Sequence, residues 1–233
     1  MQGIVVCVHH DAAEEGVKVL EAGGNAFDAA IATAFVQMVL LPFSCGVGGM
    51  VSAQVFSAKT NEHQMIDGGL RAGSLVTEDM WAKDYLGEAM GVGNSLFEDL
   101  RSDLGYTSIC TPGAVAALSE IHRRFCTIPW RELIGPAIRI SEDGFTFTPY
   151  FNNSMRTPSA SRYQPDWSTR LQATEACRDL YIGADGSILE DGHIIQNADH
   201  AETLKRLASA GADDFYRGDL SEIMANDLAA KQV

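Results

Sequence analysis

Basic residues are scarce in this chain. Seventeen Lys and Arg stand against 31 Asp and Glu over 233 residues, a net charge of -14 at pH 7. Phosphate backbones and anionic lipid both select a basic face, so no nucleic acid partner is expected. Long apolar runs are missing as well. No stretch reaches the roughly 20 apolar residues that a membrane-spanning helix needs. The opening MQGIVVCVHHD lacks a basic region, and its apolar run is too short for a signal peptide, which suits a mature or trimmed start.

The cysteines Cys7, Cys45, Cys110, Cys126 and Cys177 are odd in number and match neither a zinc nor a CxxC spacing. They are expected as free, buried thiols that pack as small hydrophobes. No P-loop, nucleophile elbow, HExxH or paired-carboxylate motif occurs, and no cofactor or metal is expected. Low-complexity tracts, internal repeats and linkers rich in Pro, Gly and Ser are absent too, so residues 1–233 read as one continuous α+β layer structure with no internal boundary.

The residues that are present, 46% of them hydrophobic, suffice for a sizeable core. Ile4–Val8 reads as a short buried strand. Asp11 is placed to cap the helix that follows, with Glu14 in the capping-box position and Gly23-Gly24 as the stop. Asn25 caps a second helix, AFDAAIATAFVQMVL, halted by Pro42. It is apolar nearly all round and carries many alanines, the pattern of a buried helix. After the glycine loop Ser44–Gly49 come two strands, Val51–Ser57 and Glu62–Ile66, joined by AKTN as a hairpin. A short helix is predicted near Thr77–Asp84, followed by a glycine-containing connection to about Tyr106. Thr111-Pro112-Gly113 opens a helix to about Phe125. A further helix starts at Pro129-Trp130, with Pro136 expected to kink it or reset its start. Residues 149–170 read as helix plus loop, and GADGSILEDGHIIQN as a short hairpin. Two helices, near Ala198–Ala210 and Asp219–Ala230, close the chain.

Few residues suggest chemistry. MIDGGLRAG places Arg71 among glycines at a strand end. A guanidinium fork grips a carboxylate, and glycines let a backbone approach a ligand. The residues leave two readings open, a substrate-binding arginine or an exposed turn. Ser44–Gly49 offers backbone N–H groups for an anion or a tight helix-to-strand connection. His9-His10-Asp11 is a weak metal pattern, because neighbouring histidines on a strand diverge. Cys45 has no base marked for it. Asn152-Asn153-Ser154 is a formal glycosylation triplet.

Four blocks, in order, resemble the large subunit of the γ-glutamyltranspeptidases (glutathione hydrolases): EAGGNAFDAAIATAF, GVGG with its hairpin and Ile66-Asp67, TPGAVAALSEIHRRFCTIPWRELIGPAIRISEDGF, and TLKRLASAGADDFYRGDLSEIMANDL. The resemblance spans nearly the whole chain. It implies an N-terminal-nucleophile hydrolase fold, an αββα sandwich of which this is the incomplete, N-terminal portion. It also implies a zymogen that cuts itself to free a threonine, whose amine and hydroxyl serve as base and nucleophile. Such an enzyme passes a γ-glutamyl group from an amide, such as glutathione, to water or an amino acid. No threonine here has the nucleophile's context, so a complementing small subunit or C-terminal half is expected, with this polypeptide alone inactive. The family suggests a periplasmic, secreted or membrane-anchored extracellular setting.

Typical members place the carboxylate-binding arginine at the position of Gly69. Arg71 instead matches a branch with a GxGRAP-like segment, with Gly73 in place of its proline. A truncated, non-catalytic binding homologue and an amidohydrolase with another acyl donor remain open. The incomplete sandwich is further expected to leave residues 26–41 exposed and the chain prone to aggregation.

Overall fold

A computed structural model describes residues 3–88, 95–158 and 164–231. The first half of the chain forms α1 (His10–Glu21), α2 (Ala26–Leu40), β1 (Val51–Ser57), β2 (Glu62–Gly68), β3 (Gly87–Glu88), β4 (Ser95–Leu96) and α3 (Ala114–Phe125). Then follow α4 (Trp130–Asp143), β5 (Phe145–Thr146), α5 (Pro149–Arg156), α6 (Trp167–Gln172), α7 (Glu175–Tyr181) and β6 (Ile194–Ile195). The last elements are α8 (Ala198–Ala210), α9 (Ala212–Arg217) and α10 (Asp219–Ala230). Packing groups the chain into two compact units, a division that composition does not mark. One comprises Met1–Arg71, Thr111–Phe145 and Gln196–Asn226; the other comprises Ala72–Cys110, Thr146–Ile195 and Asp227–Val233.

In the first unit α2 is the central helix. The Asn25 side chain accepts from Phe27 N (2.8 Å) and Asp28 N (3.0 Å), and Asp28 Oδ2 accepts from Asn25 N (2.8 Å), a complete capping box. α1 and α4 pack on α2, and α8 packs on α4. Ile31, Phe35, Val36, Leu133, Ile134, Leu204 and Leu207 are sealed from solvent in this core. Ala29, residues 31–33, Phe35, Val36 and residues 38–41 are buried while Ala26 and Ala30 stay exposed, so most of the 26–41 segment expected to stand exposed is covered, by α1 and α4 of this same chain.

The hairpin pairs Val51 with Gly68 and Ser57 with Glu62, and its burial alternates. Val55 and Ile66 are buried, on the face that meets α3, whereas Phe56 and Met65 stand outward.

Several local expectations give way. Residues 3–7 form no strand: Ile4, Val6 and Val8 are 88%, 86% and 67% exposed, and a strand needs a ladder partner. His9, not Asp11, caps α1, since its Nδ1 accepts from Asp11 N at 3.3 Å. Thr77–Asp84 makes successive turns instead of a helix, with bonds from Met80 N to Thr77 O and Ala82 N to Asp79 O. No apolar face is buried there to propagate a helix, and Thr77 Oγ1 bonds the Asp79 carboxylate instead. Pro136 lies inside an unbroken α4. The five cysteines are free but only half-buried. The GADDFYRG joint folds as α9.

The second unit buries Phe97, Phe147, Met155, Leu171, Tyr181 and Ile188. Arg170 Nη2 bonds Asp103 Oδ1 at 2.9 Å and Arg170 Nη1 bonds the Asp103 carbonyl at 3.0 Å. The Gly183–Ser187 turn, with Gly186 at φ 80°, closes a single bridge between Ile182 and Ile188, a reduced form of the expected hairpin. Within 149–170, α5 and part of α6 fill the expected helix, and residues 159–163 lie outside the described residues. No helix among the described residues is long and apolar enough to cross a membrane.

Candidate functional site

The site begins where β2 ends. A Cβ on Gly68 would sit 2.5 Å from the Gly113 carbonyl oxygen and from Ala117 Cβ, and a Cβ on Gly113 would sit 2.3 Å from the Gly68 oxygen. Two backbones cross here with no room for side chains, which is why both positions are glycine. Asp67 Oδ1 then accepts from Gly69 N (3.0 Å) and Ser52 Oγ (3.1 Å), turning the chain off the strand.

Arg71 follows on a single antiparallel rung. Its N–H donates to Thr111 O at 3.1 Å, and Thr111 N–H donates to Arg71 O at 2.8 Å. Beyond Thr111, Gly113 N and Ala114 N both donate to Gly49 O at 3.1 Å. The Tyr216 hydroxyl donates to Pro112 O at 3.0 Å and accepts from Ala116 N at 3.1 Å. The glycine loop, the end of the hairpin and the start of α3 thus lock together around one turn.

A cavity of about 340 Å³ opens at this junction, lined by Gly69, Arg71, Thr111, Ala116, Glu120 and Tyr216 among others. Among the described residues the Arg71 guanidinium makes no hydrogen bond or ion pair. The acids beside it are engaged. Asp67 holds the turn, and Glu120 is gripped by Arg123 at 2.8 Å twice, which keeps its carboxyl below the usual carboxylate range. The arrangement offers an unpaired fork to an incoming anion, with nearby negative charge already partnered.

Other candidates do not join this site. Cys45 Sγ lies 3.5 Å from Gln37 O and 3.6 Å from Leu41 O, and burial pushes its thiol up, the reverse of an activated nucleophile. In the loop, Gly49 N–H closes a turn onto Gly46 O at 2.9 Å and is not directed at an anion. His10, Asp11 and Glu14 bring ligand atoms within 4.8 Å of one another on the exposed first turn of α1, while His9 serves as the cap. Asn152 lies in α5 and donates to Asp191 Oδ1 at 2.9 Å.

Sequence reasoning missed two residues. Tyr216 sits in the FYRG stretch, which carries no chemical signature of its own. Asp28 is fully buried and accepts from Thr127 N (2.9 Å), Ile128 N (3.0 Å) and Thr127 Oγ1 (2.8 Å) besides closing its own cap. It thereby ties the start of α2 to the turn before α4. Its place three residues after Asn25 signals a cap but not this second task.

The family model described as gamma-glutamyltranspeptidase matches residues 12–232. The chain belongs to the gamma-glutamyltranspeptidase family. The glutathione hydrolase proenzyme of Bacillus subtilis (strain 168) is 31% identical over 97% of this chain and 35% of its own length. The Acylase ACY 1 proenzyme of Pseudomonas sp. (strain SE83) is 30% identical over 98% of this chain and 38% of its own. The gamma-glutamyltranspeptidase structure from Helicobacter pylori superposes with a TM-score of 0.81 at 26% identity, covering 97% of this chain and 59% of that one. The fold is that of these N-terminal-nucleophile hydrolases, with helix and sheet mixed, and the sequence spans the N-terminal part of its relatives. It covers about a third of the length of the curated proteins it matches.

Proposed function

We propose that this sequence forms the scaffold and one wall of the acyl-donor pocket in a γ-glutamyltransferase-like amidohydrolase, with Arg71 anchoring the donor's carboxylate. The observation behind this reading is the unpaired guanidinium at the cavity, carried on a rung that fixes its backbone. In the reaction so read, a γ-glutamyl amide such as glutathione is attacked by an N-terminal threonine contributed by polypeptide outside these 233 residues. The resulting acyl-enzyme passes its group to water or to an amino acid. The threonine's own amine takes the hydroxyl proton and returns it to the leaving group. A small subunit or C-terminal half completes the pocket.

The test is Arg71→Ala in the full-length protein. Loss of one charge-assisted contact costs about 1.5–3 kcal/mol of binding, so the donor KM should rise by about one to two orders of magnitude. An unchanged KM for a γ-glutamyl donor removes Arg71 from the site.

A second reading is an acylase acting on another acyl amide. It is favoured by the place of Arg71, two positions beyond the usual arginine, and by the acylase relative. A panel of γ-glutamyl and other acyl amides separates the two. A non-catalytic binding homologue, the third reading, predicts no turnover of any donor by the full-length protein.

A further inference from the structure

Tyr216 is held from behind. Its neighbour Phe215 is buried in the core, 4% exposed, and the two rings lie 5.1 Å apart. Asp214, at the same helix, is bonded by Arg206 at 2.6 and 3.0 Å. The Tyr216 hydroxyl therefore reaches the Pro112–Ala116 turn from a rigid base. It bridges the turn by donating to Pro112 O and accepting from Ala116 N. A phenol has one proton, and here it already points at a carbonyl, so the hydroxyl has none left to give a ligand in the cavity. Burial raises the Tyr216 hydroxyl above its ordinary value, so it stays protonated at neutral pH. Its hold falls on Pro112, the residue next to Thr111, which makes the reciprocal rung with Arg71.

We propose that Tyr216 is the positioning residue for Arg71: its hydroxyl fixes the Thr111–Gly113 turn, and the Arg71–Thr111 rung passes that constraint to the guanidinium. The inference rests on the reading of Arg71 as a carboxylate anchor, and it assigns the anchor's precision to a helix far away in sequence. The link runs from the Tyr216 hydroxyl to Pro112, along the backbone to Thr111 and across the rung to Arg71, so removing one oxygen atom tests it while leaving the ring and its packing in place.

The experiment compares Tyr216→Phe, Arg71→Ala and the double variant in the full-length protein. Two donors are used, a γ-glutamyl anilide with a free α-carboxylate and the same anilide as its α-carboxamide. Loss of the bridge should raise KM for the acid about three- to tenfold, the effect of a neutral hydrogen bond, with kcat within about twofold. KM for the carboxamide should not move. In the Arg71→Ala background Tyr216→Phe should add nothing, because there is no guanidinium left to place.

Equal losses for both donors, effects of the two substitutions that multiply, or an unchanged KM for the acid would each overturn the positioning role while leaving Arg71 as the anchor. If instead Arg71→Ala leaves KM for the acid unchanged, or the unaltered protein turns over neither donor, the reading of the pocket itself falls, and the inference with it.

Discussion

At Gly46 and Gly48 an added Cβ would meet no atom within 4 Å, whereas at Gly113 it would press 2.3 Å from the Gly68 oxygen. The two regions look alike in the sequence, each a glycine cluster beside the hairpin. One is a loop that leaves space around the chain at Gly46 and Gly48. The other is a joint where β2 and the start of α3 touch backbone to backbone. The difference teaches that glycine content marks close approach only where a second segment arrives at the same point. Arg71 hangs from the closed joint, which gives its backbone a fixed origin.

The sharpest way to break this contrast is Gly113→Ala. The new methyl meets backbone atoms that cannot swing aside, so a loss of about 3 kcal/mol is expected, read as a shifted urea midpoint at an unchanged slope. A midpoint equal to that of the unaltered protein would mean the joint is slack.

Asp28 makes the comparable joint with a side chain in place of direct backbone contact. Burial works to raise its carboxyl, but hydrogen bonds from Ile128 N, Asn25 N and Thr127 outweigh that and hold it low. Asp28→Asn turns an acceptor toward a donor against buried N–H groups and should cost about 2 kcal/mol at neutral pH. A folded value below the unfolded one places this stabilisation above the ordinary carboxylate pKa of about 3.9. It should fade as the pH falls through the lower folded value, and acid titration of stability in the two proteins should converge there.

Two substitutions should do little to stability. Arg71→Ala removes a side chain with no partner among the described residues, and Gly46→Ala fills open space at a φ outside the left-handed region. Each should stay within about 0.5 kcal/mol in thermal melts. A large loss at Gly46 would erase the contrast between loop and joint.

The legible parts of the fold were those with a local cause. Asn25 with Asp28 announces the start of α2, the alternation through Val55 and Ile66 announces the hairpin, and Pro112-Gly113 announces α3. What stayed hidden depends on who arrives from elsewhere. Ile4–Val8 carries strand residues without a partner strand among the described residues, and Thr77–Asp84 carries helix formers without a face to bury. Arg71 was legible by type and by its glycine setting. Tyr216 was not, since its role exists only through Pro112 and Ala116, 104 and 100 positions back along the chain.

The single rung between Arg71 and Thr111 has a practical use. Its two amide protons are each held by the other residue's carbonyl, so neither can trade with deuterium from solvent until the rung opens. Their exchange lifetimes, followed at these two positions, therefore serve as a clock for how long the guanidinium keeps its place before any donor arrives.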